Sequence, residues 1–113
     1  MNEQIQAEIK KIFNGRFSTS ESTRANYARG EDTYDPILSQ AVVFPETNEE
    51  VSKILKLCNE NKIPVVPFGT GTSLEGNVVG NDKGITISLE KMNIILSVNV
   101  EDFDCRVQAC VTR

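Results

Sequence analysis

The stretch "VVPFGTGTSLEGNVV", residues 65–79, joins a β-branched run to a loop that holds three glycines. These are Gly69, Gly71 and Gly76; the stretch has one charged residue, Glu75, and no lysine. Glycines that follow a strand this closely permit positive φ values and a very close approach of the backbone to another group. Two questions arise: which sheet the strand joins, and what the loop approaches.

Two short strands flank a helix in the residues that lead to this loop. Residues 41–44, "AVVF", are typical of a short buried strand that Pro45 ends, and residues 64–68, "PVVPF", predict a second strand. Because the links are tight, strand, helix and strand should form a βαβ unit. A right-handed crossover and a parallel sheet are expected for such a unit.

The helix between these strands has the clearest signals in the sequence. Thr47 and Glu50 have the T-x-x-E spacing of a capping box. Residues 59–62 end the helix, and Pro64 prevents its continuation. The apolar face is predicted from residues at helical spacing, which are Val51, Ile54, Leu55 and Cys58.

The residues before the first strand predict two further helices. Residues 2–13 carry isoleucines at helical spacing, and Gly15 is placed as a C-terminal stop. Residues 20–27 predict a short helix, and Asp35 and Pro36 mark a turn. We therefore assign residues 1–35 to an N-terminal helix with an irregular lead-in.

A period of two after the glycine loop predicts antiparallel strands. Residues 85–89 are expected to form a half-buried strand, a turn over residues 90–93 leads to a strand at 94–98, and a turn at 100–102 leads to the last strand. The first of these strands alternates apolar residues with Thr86 and Ser88, and one face of the last carries Phe103, Cys105, Val107 and Ala109. The predicted fold class is α+β, a small parallel βαβ unit followed by antiparallel strands, with residues 36–113 as the main domain.

Composition excludes several classes of protein. The chain has 113 residues and a formal net charge of −4, with scattered lysines and arginines, which argues against a nucleic-acid-binding protein. No apolar run approaches the roughly 20 residues that a transmembrane helix needs. The N-terminus lacks a hydrophobic export segment and an arginine-rich presequence, so a cytoplasmic location is predicted.

Cysteine and histidine usage narrows the chemistry further. The three cysteines, Cys58, Cys105 and Cys110, make an odd number without CxxC spacing, which disfavours a disulfide framework or a zinc site. The chain contains no histidine, so it offers no histidine base, metal ligand or attachment point for a cofactor.

The glycine loop fits neither of two common nucleotide motifs. Gly71 and Gly76 have Walker A spacing, but Asn77 follows where that motif needs a lysine. A dinucleotide-binding GxGxxG that starts at Gly69 fails because Leu74 replaces its third glycine. Successive amides in a glycine turn can still form a concave nest for a diphosphate, helped by hydroxyl groups such as that of Thr70. A purely structural turn remains the alternative.

The residues from about Tyr27 onward resemble a known family. The segment "FPETNEEVSKILKLCNENKIPVVPFGTGTSLEGNVVG", followed by "GITISLEKMNIILSVNVEDFDCRVQACVTR", is similar to the start of the FAD-binding domain of the vanillyl-alcohol oxidase/p-cresol methylhydroxylase (PCMH) flavoproteins. The phrase "PFGTGTSLEG" most resembles the FAD-linked D-lactate dehydrogenases. The resemblance implies the N-terminal half of a PCMH-type domain, and a segment around Tyr27 that packs near it.

The resemblance also implies which residues hold the cofactor. Main-chain amides of the loop would hold the FAD pyrophosphate; the residues are Pro67, Phe68, Gly69, Thr70, Gly71, Thr72 and Ser73, continued by Gly76 and Asn77. Some relatives carry a loop histidine that bonds covalently to the flavin. This chain has Thr72 and Ser73 there, which implies non-covalent FAD.

Two departures from the family affect what the chain can do. The family usually reads Pro-Gly-Val-Thr near the end, whereas this chain has Ala109, Cys110, Val111 and Thr112, so a side chain at Cys110 is expected to crowd the cofactor. Family enzymes are also several times longer, and their substrate and metal ligands lie beyond the part that corresponds to Arg113. We therefore expect a fragment that is inactive by itself.

Two functional hypotheses follow. The chain is the FAD-binding portion of an oxidoreductase, an FAD-dependent D-2-hydroxyacid dehydrogenase for D-lactate, which binds its 2-hydroxy acid in the full-length enzyme. Alternatively, it is a truncated remnant or interaction module that no longer binds flavin. Self-association through an exposed strand edge is expected in either case. The family also includes mitochondrial and peripheral membrane enzymes.

Overall fold

The computed structural model describes residues 3–28, 37–71 and 80–112. In chain order its elements are α1 (Glu3–Phe13), β1 (Phe17–Ser18), α2 (Glu21–Asn26), β2 (Ala41–Val43), α3 (Asn48–Glu60), β3 (Val65–Phe68), β4 (Ile85–Ser88), β5 (Ile95–Asn99) and β6 (Asp104–Val107). The turn predicted at Asp35 and Pro36 lies outside the described residues. No helix in the described ranges is long and apolar enough to cross a membrane.

The larger sheet has the strand order β1-β2-β4-β3. β2 and β3 both pair in parallel with β4, with Ala41 and Val65 opposite Ile85, while β1 pairs antiparallel with β2. The predicted parallel sheet is confirmed, and β4 lies between the two strands of the βαβ unit. The carboxyl ends of β2, β3 and β4 therefore meet at one edge of the sheet.

The prediction of a half-buried antiparallel strand at residues 85–89 is wrong. β4 is parallel to both neighbours and buried along its whole length, and Leu89 lies just beyond it. Thr86 and Ser88, expected on a solvent face, are 1% and 0% exposed. The hydroxyl of Thr86 lies 2.7 Å from the Ser39 hydroxyl, which satisfies both buried polar groups. A central strand has no solvent face, so polar residues at alternate positions were misleading.

The core lies between this sheet and the two longer helices. The cluster of fully buried residues is Ile9, Phe13, Val43, Ile54, Cys58, Ile85 and Ile87. α1 is thus part of the same core as the βαβ unit, and the division at residue 35 stays a prediction. On α3, Ile54 and Cys58 are buried as predicted, but Leu55 is 44% exposed.

The ends of the helices follow their sequence signals. The Thr47 side chain accepts from the Glu50 amide and caps α3, as predicted. The Glu50 carboxylate accepts from the Glu46 amide and pairs with Arg16, which links the chain around β1 to α3. Ser20 caps α2 in the same way as Thr47 caps α3.

The second sheet is a two-stranded hairpin. β5 and β6 pair antiparallel, as predicted, and every residue of both strands is exposed. Two backbone bonds tie the chain after β6 to the residues before β5: Gln108 N–H donates to the Ile94 carbonyl and Cys110 N–H to the Met92 carbonyl, each at 2.9 Å. The hairpin thereby brings residues 110–112 towards the end of β3.

Candidate functional site

The glycine loop begins where β3 ends, at the carboxyl edge of the larger sheet. Phe68 is the last residue of β3, and its carbonyl accepts from Leu89 N–H at 2.8 Å, which ties the start of the loop to the end of β4. Among the described residues, β3 is an edge strand of the larger sheet. Ligands of open parallel sheets bind at this edge of the strands.

The structure describes five of the nine predicted site residues. Pro67 is exposed, Phe68 is buried, and the next three residues lie at or near the surface. The other four, Thr72, Ser73, Gly76 and Asn77, lie outside the described residues. Phe68, Gly69 and Thr70 line one side of a cleft of about 490 Å³, whereas Pro67 and Gly71 do not line it.

Gly71 meets two geometric conditions that favour glycine. Its φ is +73°, and a Cβ built there would lie 2.7 Å from Cζ of Phe68. Any side chain would therefore be strained and would also displace a buried aromatic ring. A Cβ at Gly69 would instead lie at an ordinary 3.7 Å from Cys110 Sγ.

The amides of two loop glycines are candidate donors. Within the residues that the structure describes, no hydrogen-bond acceptor is found for the amides of Gly69 and Gly71. Such amides at a glycine turn are suited to the oxygens of an anion, because no side chain shields them. The same part of the chain contains no cluster of three or more residues that could hold a metal ion.

The comparisons with known proteins identify the family. Residues 39–113 match the family described as "FAD binding domain". The chain belongs to this family. The FAD-binding domain is 40% identical over 96 residues to the "Probable D-lactate dehydrogenase, mitochondrial" of Danio rerio, a match that covers 85% of the chain and 19% of that relative. The chain spans about a fifth of the length of the curated relatives it matches.

Solved structures share the fold of the FAD-binding domain. Alkyldihydroxyacetonephosphate synthase superposes with a TM-score of 0.87 at 17% identity, covering 98% of this chain and 23% of that one. p-Cresol methylhydroxylase, with substrate bound, superposes with a TM-score of 0.73 at 20% identity, covering 87% and 20%. The predicted PCMH-type fold is confirmed.

The opposite side of the cleft comes from residues far along the sequence. It is lined by Glu90, Asn93, Ile95, Cys110, Val111 and Thr112. Cys110 lies in the cleft close to Gly69, at the position where the sequence departs from the family pattern. Whether its side chain crowds a cofactor stays a prediction.

Sequence reasoning missed Glu90 and Asn93 and gave Tyr27 a packing role alone. The Tyr27 hydroxyl donates to the Glu90 carboxylate across 63 residues of sequence. Burial first, and then this bond, raise the pKa of Tyr27 to about 12, so the phenol stays protonated and remains a donor. No local pattern predicts a contact of this span, and Glu90 looks in sequence like an ordinary turn residue.

Proposed function

We propose that this FAD-binding domain holds the diphosphate of FAD at the glycine loop, as part of an FAD-dependent D-2-hydroxyacid dehydrogenase that oxidises D-lactate. The observation that carries the proposal is the backbone at Gly71, where a positive φ and a contact that leaves no room for a Cβ coincide. A purely structural turn needs the φ value, whereas the amides of Gly69 and Gly71, for which the described residues offer no acceptor, are suited to an anion. The family match does not favour a remnant that has lost flavin binding.

The residues around the cleft fit the cofactor. The amide of Gly69, at the cleft, and that of Gly71, two residues further along the loop, would hold the diphosphate, and Asn93 and Thr112 line the hairpin side of the same cleft. FAD, when bound, supplies the hydride acceptor for oxidation of a 2-hydroxy acid. The chain's own residues bind and orient it.

Binding should be non-covalent, because the chain contains no histidine and Thr72 and Ser73 stand where covalent relatives have one. D-lactate as substrate is supported by the name of the Danio rerio relative. By itself this chain should reduce no dye with D-lactate and added FAD, because nothing described in it positions a substrate within reach of the flavin. Robust dye reduction by the purified chain would contradict this expectation.

The site can be tested with reagents for two of the chain's own thiols. Cys110 lies in the cleft, whereas Cys105 is exposed on β6 outside it. The fluorescence of FAD should be quenched when the protein is titrated into it. Bound FAD should slow the alkylation of Cys110 by N-ethylmaleimide, while Cys105 reacts at an unchanged rate. Mass spectrometry of the labelled peptides measures both rates in one sample. Unchanged labelling of Cys110 at saturating FAD would place the cofactor elsewhere, and absence of binding would refute the proposal.

The location of the protein is a separate proposal. The sequence predicts the cytoplasm, whereas the word "mitochondrial" in the relative's name supports a mitochondrial enzyme. Incubation of the full-length protein with isolated mitochondria, followed by protease treatment, distinguishes the two. Protection from the protease would favour the mitochondrion.

Self-association is also part of the proposal. In the described residues β5 and β6 form a two-stranded sheet, so each presents an open edge. Val98, in the middle of β5, is 66% exposed. Val98→Lys should shift sedimentation of the isolated chain towards the monomer, because a charge at an edge opposes pairing. An unshifted distribution would mean that this edge does not mediate association.

A further inference from the structure

We propose that Tyr27 is a positioning residue for the glycine loop. Its side chain holds the Phe68 ring in place beneath Gly71. The inference rests on the proposed FAD-binding function but concerns a residue that lies before the family match and outside the cleft lining. It follows from a chain of three contacts that connects α2, β3 and the loop.

The first two contacts join Tyr27 to the loop through Phe68. The Tyr27 and Phe68 rings meet edge to face, with centroids 5.0 Å apart and planes at 70°. Phe68 is 8% exposed, and its Cζ occupies the place that a Cβ of Gly71 would need. The position of the Phe68 ring therefore limits where the backbone at Gly71 can lie.

Tyr27 is itself fixed on three sides. Its amide donates to the Thr23 carbonyl at the end of α2, and its ring packs edge to face against Phe44, with centroids 5.4 Å apart. Its hydroxyl donates to Glu90. A ring held in this way can support Phe68 from one direction, whereas a flexible aliphatic side chain could not.

The Glu90 bond has a second effect on the same site. Glu90 lines the same cleft as Gly69, whose amide is proposed to hold an anion. The Tyr27 hydroxyl restrains the Glu90 carboxylate. Loss of the hydroxyl removes the donor that fixes this carboxylate, which can then turn into the cleft and oppose the binding of a diphosphate by like-charge repulsion.

The test compares Tyr27→Leu, Tyr27→Phe and the matched control Phe13→Leu. Phe13 is a fully buried aromatic residue of the core cluster and is not among the cleft residues. FAD affinity is measured by flavin-fluorescence titration at a temperature at which all variants are folded. The amide signals of Gly69 and Gly71 in ¹H–¹⁵N spectra, without FAD, report the loop directly.

Tyr27→Leu should weaken FAD binding up to about fiftyfold, because both the edge-to-face ring contact, worth up to about tenfold, and the hydroxyl bond, worth about fivefold, are lost. Tyr27→Phe keeps the ring and should weaken binding about fivefold through the lost hydroxyl bond. Both should move the Gly69 and Gly71 signals, and Phe13→Leu should change neither affinity nor signals. If Tyr27→Leu does not fold, the result for Tyr27→Phe decides whether Tyr27 has the positioning role.

Unmoved glycine signals in the Tyr27 variants would overturn the positioning role, as would an equal loss of affinity in Phe13→Leu. If the wild-type chain binds no FAD, the proposed function fails, while the glycine signals still judge the role of Tyr27. If FAD binds equally well to all four proteins, the function stands and this inference fails.

Discussion

The two central strands of the larger sheet and the two strands of the hairpin differ completely in burial, although both pairs carry β-branched and apolar residues. Every residue of β2 and β4 is buried, and every residue of β5 and β6 is exposed. β2 and β4 share a core with α1 and α3, whereas β5 and β6, within the described residues, pack chiefly against each other. An apolar sequence therefore becomes core only where a second layer covers it.

The two sheets also contribute differently to the stability of the fold and to the candidate site. A two-stranded hairpin is marginal in water without a layer over it. The glycine loop belongs to the larger sheet, but the other side of the cleft is carried by the ends of the hairpin. Substitutions in the two regions should therefore affect folding and binding differently.

The largest contrast is expected between two phenylalanines. Phe13 is 0% exposed in the core, and Phe103 is 97% exposed at the tip of the hairpin. Phe13→Ala should lower the free energy of unfolding by about 3–5 kcal/mol, because it leaves a cavity. Phe103→Ala should change it by less than about 0.5 kcal/mol. Urea denaturation of both variants measures the difference; similar losses would show that the hairpin tip is covered in solution.

A second contrast compares two glycines with positive φ values. Gly71 and Gly15 have φ of +73° and +92°, but a Cβ at Gly15 would have nothing within 4 Å. Valine at either position should cost about 1–3 kcal/mol of stability through backbone strain. Gly71→Val should in addition abolish FAD retention, and Gly15→Val should not. Equal FAD affinities in both variants and the wild type would mean that the loop is a turn and nothing more.

The third prediction concerns the ion pair that ties β1 to α3. Hydrogen bonding from Arg16 lowers the pKa of Glu50 from 4.5 to about 2. Because this pKa is lower in the folded than in the unfolded state, the stabilisation is complete above the unfolded value and is lost as the pH falls from 4.5 to about 2.

Glu50→Gln should remove that part of the pH dependence and cost about 2 kcal/mol at neutral pH, where a charge-assisted bond is lost. Thermal unfolding between pH 2 and 7 measures it. Glu46, the more exposed carboxylate beside Arg16, provides the control, and Glu46→Gln should leave the acid loss nearly intact. An unchanged acid profile in Glu50→Gln would contradict the assignment.

The smallest effect is expected at the hairpin turn. Phe103 has φ of +57°, a conformation in which asparagine is more favourable than a bulky residue. Phe103→Asn should stabilise the chain by about 0.5–1 kcal/mol, because the backbone at this position is less strained with asparagine. Val100→Asn, at a turn position without positive φ, should give no gain. A gain at Val100 alone would place the strain elsewhere in the turn.

Local signals predicted the elements that depend on local chemistry. The Thr47 cap, the end of α3 before Pro64 and the special backbone at Gly71 each depend on a few neighbouring residues, and all were found. The pairing of β4 was not predicted, because the partners of a parallel strand are reached through a crossover of about a dozen residues or more, which leaves no local signal. β1 is two residues long and has no period to detect.

The two sides of the cleft also differ in how far the sequence predicted them. The β3–loop side was predicted because its glycines lie close together in sequence. On the hairpin side Glu90 and Asn93 were missed, as was the Tyr27–Glu90 contact, because they join distant residues, and contacts of that kind leave no spacing to recognise. The family resemblance supplied Cys110 as a neighbour of the cofactor, and the structure brings it to the cleft.

The place of α1 in the core has a consequence for how such domains are exchanged between proteins. The match to the FAD binding domain family starts at residue 39, yet Ile9 and Phe13 fill the centre of the core and Arg16 holds both the Phe44 carbonyl and Glu50. A chimera that moves residues 39–113 into a relative would contain α3 but not α1. The buried face of α3 would then lack the helix that it packs against in this chain. The unit that can be transplanted is therefore larger than residues 39–113, and it includes α1.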